Sequence, residues 1–462
     1  MNEKPKSIWK KSWHGGRAWL LSSALIFAAI MVIGWIAGAD AGLTMAIAGI
    51  LVIVSLVLAL GVSLFRWLFW KHWRRGLFAL ACFATLIALV YAEEDWRGWH
   101  AWNQFKHEWE AKGEHFDMAS VTPAPVPDEQ NFALTPIAFT SYGRVLTRDG
   151  KHIPYDTNLV ERIKMEITHD YNSPTNVAGN REKGKFSNLE GWQRYYRELA
   201  ATTNEFAVPA KPQSPAADVL LALGKYDPVI EELRQASRLP YSRFPLQYTN
   251  ESPAAILLPH LAALKNCARI LQLRSVAELQ NGQPDKALED VTLALQLTDK
   301  IHTEPFLISH LVRIAMLQIM LQPVWEGLAE HRWSDTQLVA LDAELAKLDF
   351  LPDYQLSMRG ELGCQGGEVD RLRRHPGQLQ DLGGWFDDEG NGSNPSLPGG
   401  LLGHLIPTGW FYQNQFRCAR MMVNYYIPVA DVSQGIFSPA QARQGDAAVN
   451  AETKSATPFN LL

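Results

Sequence analysis

The sequence predicts a mainly α protein, with three N-terminal transmembrane helices followed by an α-helical, hairpin-repeat soluble domain that is tetratricopeptide-like. Three observations carry the prediction. Ala18 to Ala92 holds three apolar runs, apolar residues recur at helical spacing from Ala254 to Leu362, and the one strand-like signal is a short hairpin around Arg148-Asp149-Gly150-Lys151.

Residues 1–17 form a basic N-terminus, and 18–92 the three-helix membrane region. The runs are Ala18–Ala39, Leu43–Phe65 and Gly76–Ala92, the last at the short end of the roughly 20 residues that cross a bilayer. Arg74 and Arg75 frame the third run on one side, and Glu93, Glu94 and Asp95 on the other. Lys4, Lys6, Lys10, Lys11 and Arg17 precede the first run. Arg66, Lys71, Arg74 and Arg75 follow the second, in a basic loop. The positive-inside rule then predicts a multi-pass protein of the inner (cytoplasmic) membrane, N-terminus cytoplasmic and everything after Ala92 extracytoplasmic. No Asp, Glu, Lys, Arg or His lies within a run, which weighs against transport by this chain alone.

Residues 1–75 carry a net charge of +7, so the remainder of a chain of net −5 carries −12. An acidic domain is a poor partner for phosphate backbones, so nucleic acid is excluded as a partner. Of four cysteines, Cys82 lies in the third run and Cys267, Cys364 and Cys418 beyond it. They make neither a disulfide framework nor a zinc pattern; Cys364 and Cys418 are a candidate pair in an oxidising compartment, against which buried free thiols are the preferred reading.

Residues 93–117 form a Trp-rich juxtamembrane helix. Trp96, Trp99, Trp102, Phe105 and Trp109 share a stripe suited either to the membrane surface or to packing on the soluble domain. Residues 118–155 read as a Pro-rich linker and irregular segment, then 156–375 as the helical hairpin domain. Within that domain, helices are predicted near Asn158–Tyr171, Leu189–Ala201 and Ala216–Ser237, the last broken by Pro228. Leu261, Leu264, Ala268, Leu271, Ser275 and Leu279 line one helical face up to Asn281-Gly282, and Pro284 opens the next helix. Leu307, Leu311, Ile314, Leu317, Leu321, Val324 and Leu328 mark a third face. Ser334-x-x-Gln337 is a capping box ahead of Leu338, Leu341, Leu345 and Leu348. Residues 376–437 read as a loop and an aromatic helix packing on the domain, and 438–462 as a polar, disordered tail.

Chemistry is sparse. Gly179-Asn-Arg-Glu-Lys-Gly184-Lys185 has phosphate-loop spacing, but Phe186 replaces the magnesium-ligating hydroxyl and no buried strand precedes it, so it is rejected. Asp387, Glu389 and Asn391 match the opening of a calcium loop whose closing Glu is missing, with Pro398 in its place. A solvated turn explains them better, and no metal site is expected. His302, Glu304 and His310 lack metal spacing, and no cofactor is expected. Arg359 and Glu361, with the loop to residue 414, are the candidate catalytic residues for a hydrolase reading.

Three patterns occur together: Val126-Pro-Asp-Glu-Gln-Asn131-Phe132; Trp333-Ser-Asp-x-Gln337-Leu338 leading to Arg359-Gly360-Glu361; and Pro407-x-Gly409-Trp410-Phe411-x-Gln413-Asn414. Together they resemble uncharacterised membrane-anchored helical proteins of planctomycetes and verrucomicrobia, over roughly residues 95–462. The resemblance implies a membrane anchor and continuation past Thr457–Asn460, and brings no activity with it. Ala277-x4-Gly282-x4-Ala287-Leu288-x2-Val291-x2-Ala294-Leu295 resembles the second half of a tetratricopeptide repeat, at wider spacing. The expected function is a scaffold or protein-interaction module of the cell envelope, more a binder than an enzyme, whose partners are membrane lipid and another envelope protein or peptide. The alternatives are an envelope hydrolase with a site near 359–414, or an accessory subunit of a membrane complex.

Overall fold

The computed structural model describes residues 41–139, 144–146, 152–154, 174, 176–203, 205–246, 248, 256–378, 403 and 405–454, with backbone alone for 41–60, 62–73, 139, 144–146, 152–154 and 452–454. The fold is mainly helical. Two units divide the chain, Met1–Glu93 and Glu94–Leu462.

In the first unit one helix, α1 (Ala41–Glu110, 70 residues), begins and runs on past the boundary. The sequence reading placed a basic loop between the second and third apolar runs; the backbone there is helical instead. Nothing between Gly61 and Gly76 breaks a helix, since Arg, Lys, Trp and Leu all propagate one. Charge alone had suggested a turn. Among the described residues two helical stretches are long and apolar enough to cross a membrane, Arg74–Glu110 and Leu307–Ala329, not three; the first run, Ala18–Ala39, lies outside the described residues. Leu77, Phe78, Leu80, Phe83, Leu86 and Leu89 are all exposed.

The second unit is built on helices α2 (Leu189–Thr203), α3 (Pro215–Leu223), α4 (Asp227–Ser237), α5 (Pro259–Gln280), α6 (Pro284–Asp299), α7 (Leu307–Ala329), α8 (Asp335–Leu345), α9 (Leu351–Arg374), α10 (Thr408–Met421) and α11 (Pro439–Lys454). Pro228 and Pro284 sit in the first turns of α4 and α6, where a missing N–H costs nothing. The capping box of α8 forms in both directions, Gln337 N donating to Ser334 Oγ and Ser334 N to Gln337 Oε1. Gly282 turns α5 into α6 at φ +70°. The predicted face of α5 is buried throughout, α7 packs on both members of the α5–α6 pair, and α8 packs on α6. Strands β1 (Arg144–Leu146) and β2 (His152–Pro154) pair antiparallel around the predicted turn. The helix expected at Asn158–Tyr171 lies outside the described residues.

Three expectations are corrected. First, α7 buries only part of the predicted face: Val324 is buried and Leu307 and Leu317 pack against the core, beside residues the pattern had not marked. Ser309, His310, Arg313, Met316 and Met320 are buried, whereas Leu311 and Leu328 are 50% and 47% exposed. The helix is apolar on nearly every side, so periodicity had no polar side to exclude; the burial of Arg313 decides the face. Second, within the segment read as linker and irregular, residues 131–133 are built into the core. Phe132 and Ala133 are fully buried, Phe132 N donates to Tyr241 O (2.8 Å), and the Asn131 amide brackets the backbone of Arg243 through both its nitrogen (2.9 Å) and its oxygen (2.8 Å). Third, the tail expected to be disordered from Ser438 forms α11 up to Lys454. Pro439 lies in its first turn, Ser438 Oγ accepts from Gln441 N (3.3 Å), and alanines supply the highest helix propensity.

Helix α9 is held by unusually close backbone approaches. An added Cβ at Gly360 would overlap the Pro305 carbonyl, and one at Gly363 would stand 3.1 Å from the Asp117 carbonyl carbon. Gly360→Ala is therefore expected to destabilise the detergent-solubilised protein by about 1–3 kcal/mol, read as a lowered Tm. Gly282→Ala, whose Cβ would meet open space, should cost no more than the strain of its positive φ. Equal Tm values for Gly360→Ala and the parent would remove the contact from the account.

Candidate binding groove

Two helices of the second unit line one groove. On α1, Trp99, Trp102, Asn103 and Lys106 share one face at i, i+3, i+4 and i+7. On α9, Gly363, Gly366, Gly367, Asp370, Arg373 and Arg374 share another. Together with Phe116, Asp117, Met118, Tyr248, Tyr412 and Gln415 they line a groove of about 560 Å³. It is by far the roomiest of the cavities described; the enclosed apolar one around Phe244 and Cys267 has only about 20 Å³, space for a single water-sized sphere.

The walls are held firmly. Trp102 and Phe105 are buried against Phe116, Met358, Leu362 and Met422, with Phe105 edge-on to Phe416 at 5.2 Å, whereas Trp96 and Trp99 stay exposed. The aromatic stripe thus splits, its later part packing on the domain and its earlier part facing outward. Gly98 meets the backbone of Gly409 so closely that no side chain fits, and Asp95 Oδ1 accepts the Gly409 N–H (2.6 Å) at the N-terminus of α10. Gln413 donates to Glu94 Oε2 (2.9 Å).

Charges of both signs line the groove. Asp370 accepts from Arg373 and Arg374, at 2.5 Å on one oxygen each. Burial alone would raise its pKa, but these two hydrogen bonds prevail and hold the carboxyl below the usual range. The Arg373 guanidinium also covers the Tyr412 ring at 5.2 Å. Lys106 lies 3.6 Å from Glu110. Asp117 lies on the same lining, and with Glu110 beside Lys106 the acids and bases around the groove balance.

The candidates raised from the sequence fall elsewhere. Arg359 forms a bidentate pair with Glu114, both distances 2.8 Å, and Glu361 accepts the Leu307 N–H (3.1 Å) at the start of α7. Two residues apart on a helix, they point to different sides and do not meet. Burial pushes the Glu361 carboxyl up, against the lowering effect of that N–H. Asp387, Glu389 and Asn391 lie outside the described residues, and among the described residues no cluster of His, Cys, Asp or Glu suits a metal ion. The Gly179–Lys185 loop spends its amides internally: Lys183 N and Lys185 N donate to Asn180 O and Gly184 N to Arg181 O. Cys364 and Cys418 are free rather than paired, because Cys364 faces Met118 Sδ (3.5 Å) while Cys418 faces Trp102 and Phe116. Burial pushes the Cys364 thiol up to about 12, so it is no nucleophile at neutral pH.

Sequence reasoning missed three buried polar clusters. Glu304 accepts from Ser309 Oγ (2.5 Å) and lies 2.6 Å from His260 Nε2, all three buried. The carboxylate separates serine from imidazole, the reverse of a nucleophile–base pair, and the site has no access. Arg313, 2% exposed, donates to Thr298 O, Asp349 O and Asp299 Oδ1, pairs with Asp353 and covers Phe350. Burial and Arg313 push the neighbouring His310 down to about 4, keeping it neutral. Lastly, Asp290 receives Arg274 Nε (2.8 Å) and Arg234 Nη2 (3.0 Å). Glu278, also buried, has only Arg274 at 3.7 Å, and its Oε2 has no hydrogen-bond partner among the described residues. Such spacings carry no local signature: each cluster draws on residues far apart in the chain.

Burial, reinforced by Asp290, pushes Glu278 up to about 8, from an unfolded value near 4.3. The folded state therefore keeps a proton that the unfolded chain releases, so stability is greatest below the unfolded value and falls as pH rises toward 8. Glu278→Gln should flatten that decline between pH 5 and 8 and raise Tm at pH 8 and above. Parallel Tm profiles for the two proteins would mean Glu278 is already ionised in the fold.

No family model, curated protein or solved structure matches the chain, so the residues and their geometry carry the functional reading.

Proposed function

We propose that the protein is a membrane-anchored interaction module of the cell envelope, whose helical domain offers the groove between α1 and α9 to another protein or peptide. The groove itself carries this reading: about 560 Å³, open, and lined by aromatic side chains and by charges of both signs. The apolar, exposed stretch Leu77–Val90 supports the anchor. The number of spans, the orientation of the N-terminus and the extracytoplasmic address of the domain belong to the same proposal, resting on the charges flanking the apolar runs. So do the likeness to the planctomycete and verrucomicrobial group and the tetratricopeptide-like character of α5–α6, supported by the Gly282 turn and the buried Ala287, Val291 and Ala294.

An interaction module is favoured over a hydrolase centred on Arg359 and Glu361 because both side chains are committed to joints between elements. Binding needs only the groove; hydrolysis needs an accessible acid or nucleophile beside it.

The test is site-specific photo-crosslinking on intact membranes of the native host. A benzophenone-bearing phenylalanine analogue at Trp99, inside the groove, is expected to trap a reproducible product that the same probe at Lys112, outside it, does not. Absence of any product specific to Trp99 would overturn the reading.

A further inference from the structure

We infer that the helical domain rests on the bilayer at a second point, where the turn before α10 brings Leu405, together with Trp96 of α1, into the interfacial layer of a phospholipid surface. The inference deepens the membrane-anchored reading above and rests on it. Three observations carry it. The first is level. Helix α1 continues unbroken past Ala92, where the apolar run ends, to Glu110. At about 1.5 Å per residue, Trp96 stands roughly 6 Å beyond Ala92. Each interfacial layer is roughly 5–8 Å deep, half the difference between about 30 Å of hydrocarbon and about 40–45 Å overall. Trp96 is 63% exposed, which leaves its indole free for the layer that Trp prefers. Trp99, nearly a turn further on, lies beyond that depth and lines the groove.

The second is direction. Helix α10 runs alongside α1 in the same sense. At its start Gly409 meets the backbone of Glu94 and Gly98, and two turns later Phe416 stands edge-on to Phe105 at 5.2 Å. The chain leading into α10 therefore arrives from the Glu94 end of that helix stretch, not from the Glu110 end. Leu405 stands on this approach, beside Ile406, whose N–H donates to Gly403 O (3.3 Å), and it is 59% exposed. A large apolar side chain exposed at this end has an apolar partner in the acyl-chain edge of the bilayer.

The third is charge. Glu93, Glu94 and Asp95 occupy the same level, so this end offers carboxylates rather than the basic cluster that draws anionic lipid. Glu94 is paired with Arg97 (2.5 Å) and accepts from Gln413 Nε2 (2.9 Å), while Asp95 accepts the Gly409 N–H (2.6 Å). Glu93 is exposed and stays in the water of the headgroup layer. The surface thus fits zwitterionic lipid through apolar side chains, a contact that salt does not screen.

The experiment uses the full chain in phosphatidylcholine vesicles containing a minor share of the same lipid with a nitroxide near the carbonyl end of its acyl chain. A fluorophore is attached to a single added cysteine, from Leu405→Cys, Trp96→Cys, Leu80→Cys or Val339→Cys, in a Cys82→Ser background. That background without an added cysteine gives the labelling blank, and an unchanged Tm will show each protein folded. Labels at positions 405 and 96 are expected to lose at least half their fluorescence to the nitroxide lipid and little to aqueous iodide, at low and high salt alike. Val339, 71% exposed on α8, is expected to show the reverse. Iodide quenching at position 405 equal to that at 339, or lipid quenching at 339 as strong as at 405, would overturn the inference. So would loss of the lipid contact at 405 in high salt, which makes it electrostatic. The two readings fail separately: lipid quenching at position 80 but not at 405 leaves the anchor and removes the second footing, whereas no lipid quenching at 80 removes both.

Discussion

The tightest of the close approaches that seat helix α9 is that of Gly360 to the Pro305 carbonyl, too close for any side chain. Because that glycine sits flush against the segment before α7, its two neighbours are aimed in different directions. Glu361 reaches the first N–H of α7 and supplies negative charge where the helix dipole favours it. Arg359 turns to Glu114 after the end of α1. One tripeptide thereby joins three elements. The α9 lining of the groove, one turn further along, inherits its position from that joint.

The same principle recurs at the other motifs. Asp95 accepts the Gly409 N–H at the start of α10, and the close pair Gly98–Gly409 allows α10 to come near enough for it. Trp333 Nε1 donates to Val324 O, its ring lying where a side chain at Gly327 would be. Asn131 pairs with the Arg243 backbone as a strand neighbour would. Residue types that suggest active sites when read along a line (Arg-Gly-Glu, or Gly-Trp-Phe with Gln-Asn) serve here to fasten helices. Asp95, Glu361 and Asn131 each place a polar group on a backbone donor or acceptor at such a joint.

The helical core also holds more charge than hydrophobic packing needs. Arg313, Asp290, Glu278 and Glu304 are almost wholly buried. Removing charges from water is costly, and a buried pair seldom adds stability over apolar residues of the same size. What such groups add here is uniqueness of packing. Arg313 binds the end of α6, the turn before α9 and the first turn of α9, so α7, apolar on most sides, has one orientation that satisfies it. Glu278 is the exception, a carboxyl with little to hold it, and it makes the core sensitive to pH.

Local chemistry along the chain was sufficient for the helical class, the break at Pro228, the start at Pro284, the Gly282 turn, the capping box at Ser334 and the β1–β2 hairpin. Each depends on residues within one or two turns of each other, so sequence order and spatial order coincide. Where the signal was charge or composition alone, it misled. The basic residues after Phe65 suit a helix as well as a loop, and the Ala-rich tail from Ser438 forms a helix once capped. Which face of α7 is buried, which acids are joints, and the existence of the groove were decided by tertiary structure. Trp99, Gly363, Arg374 and Tyr412 come from three helices spread over more than half the sequence, and only their packing brings the aromatic, glycine and charged faces together. Periodicity identifies a face; what that face meets depends on contacts between distant segments, which no local pattern encodes.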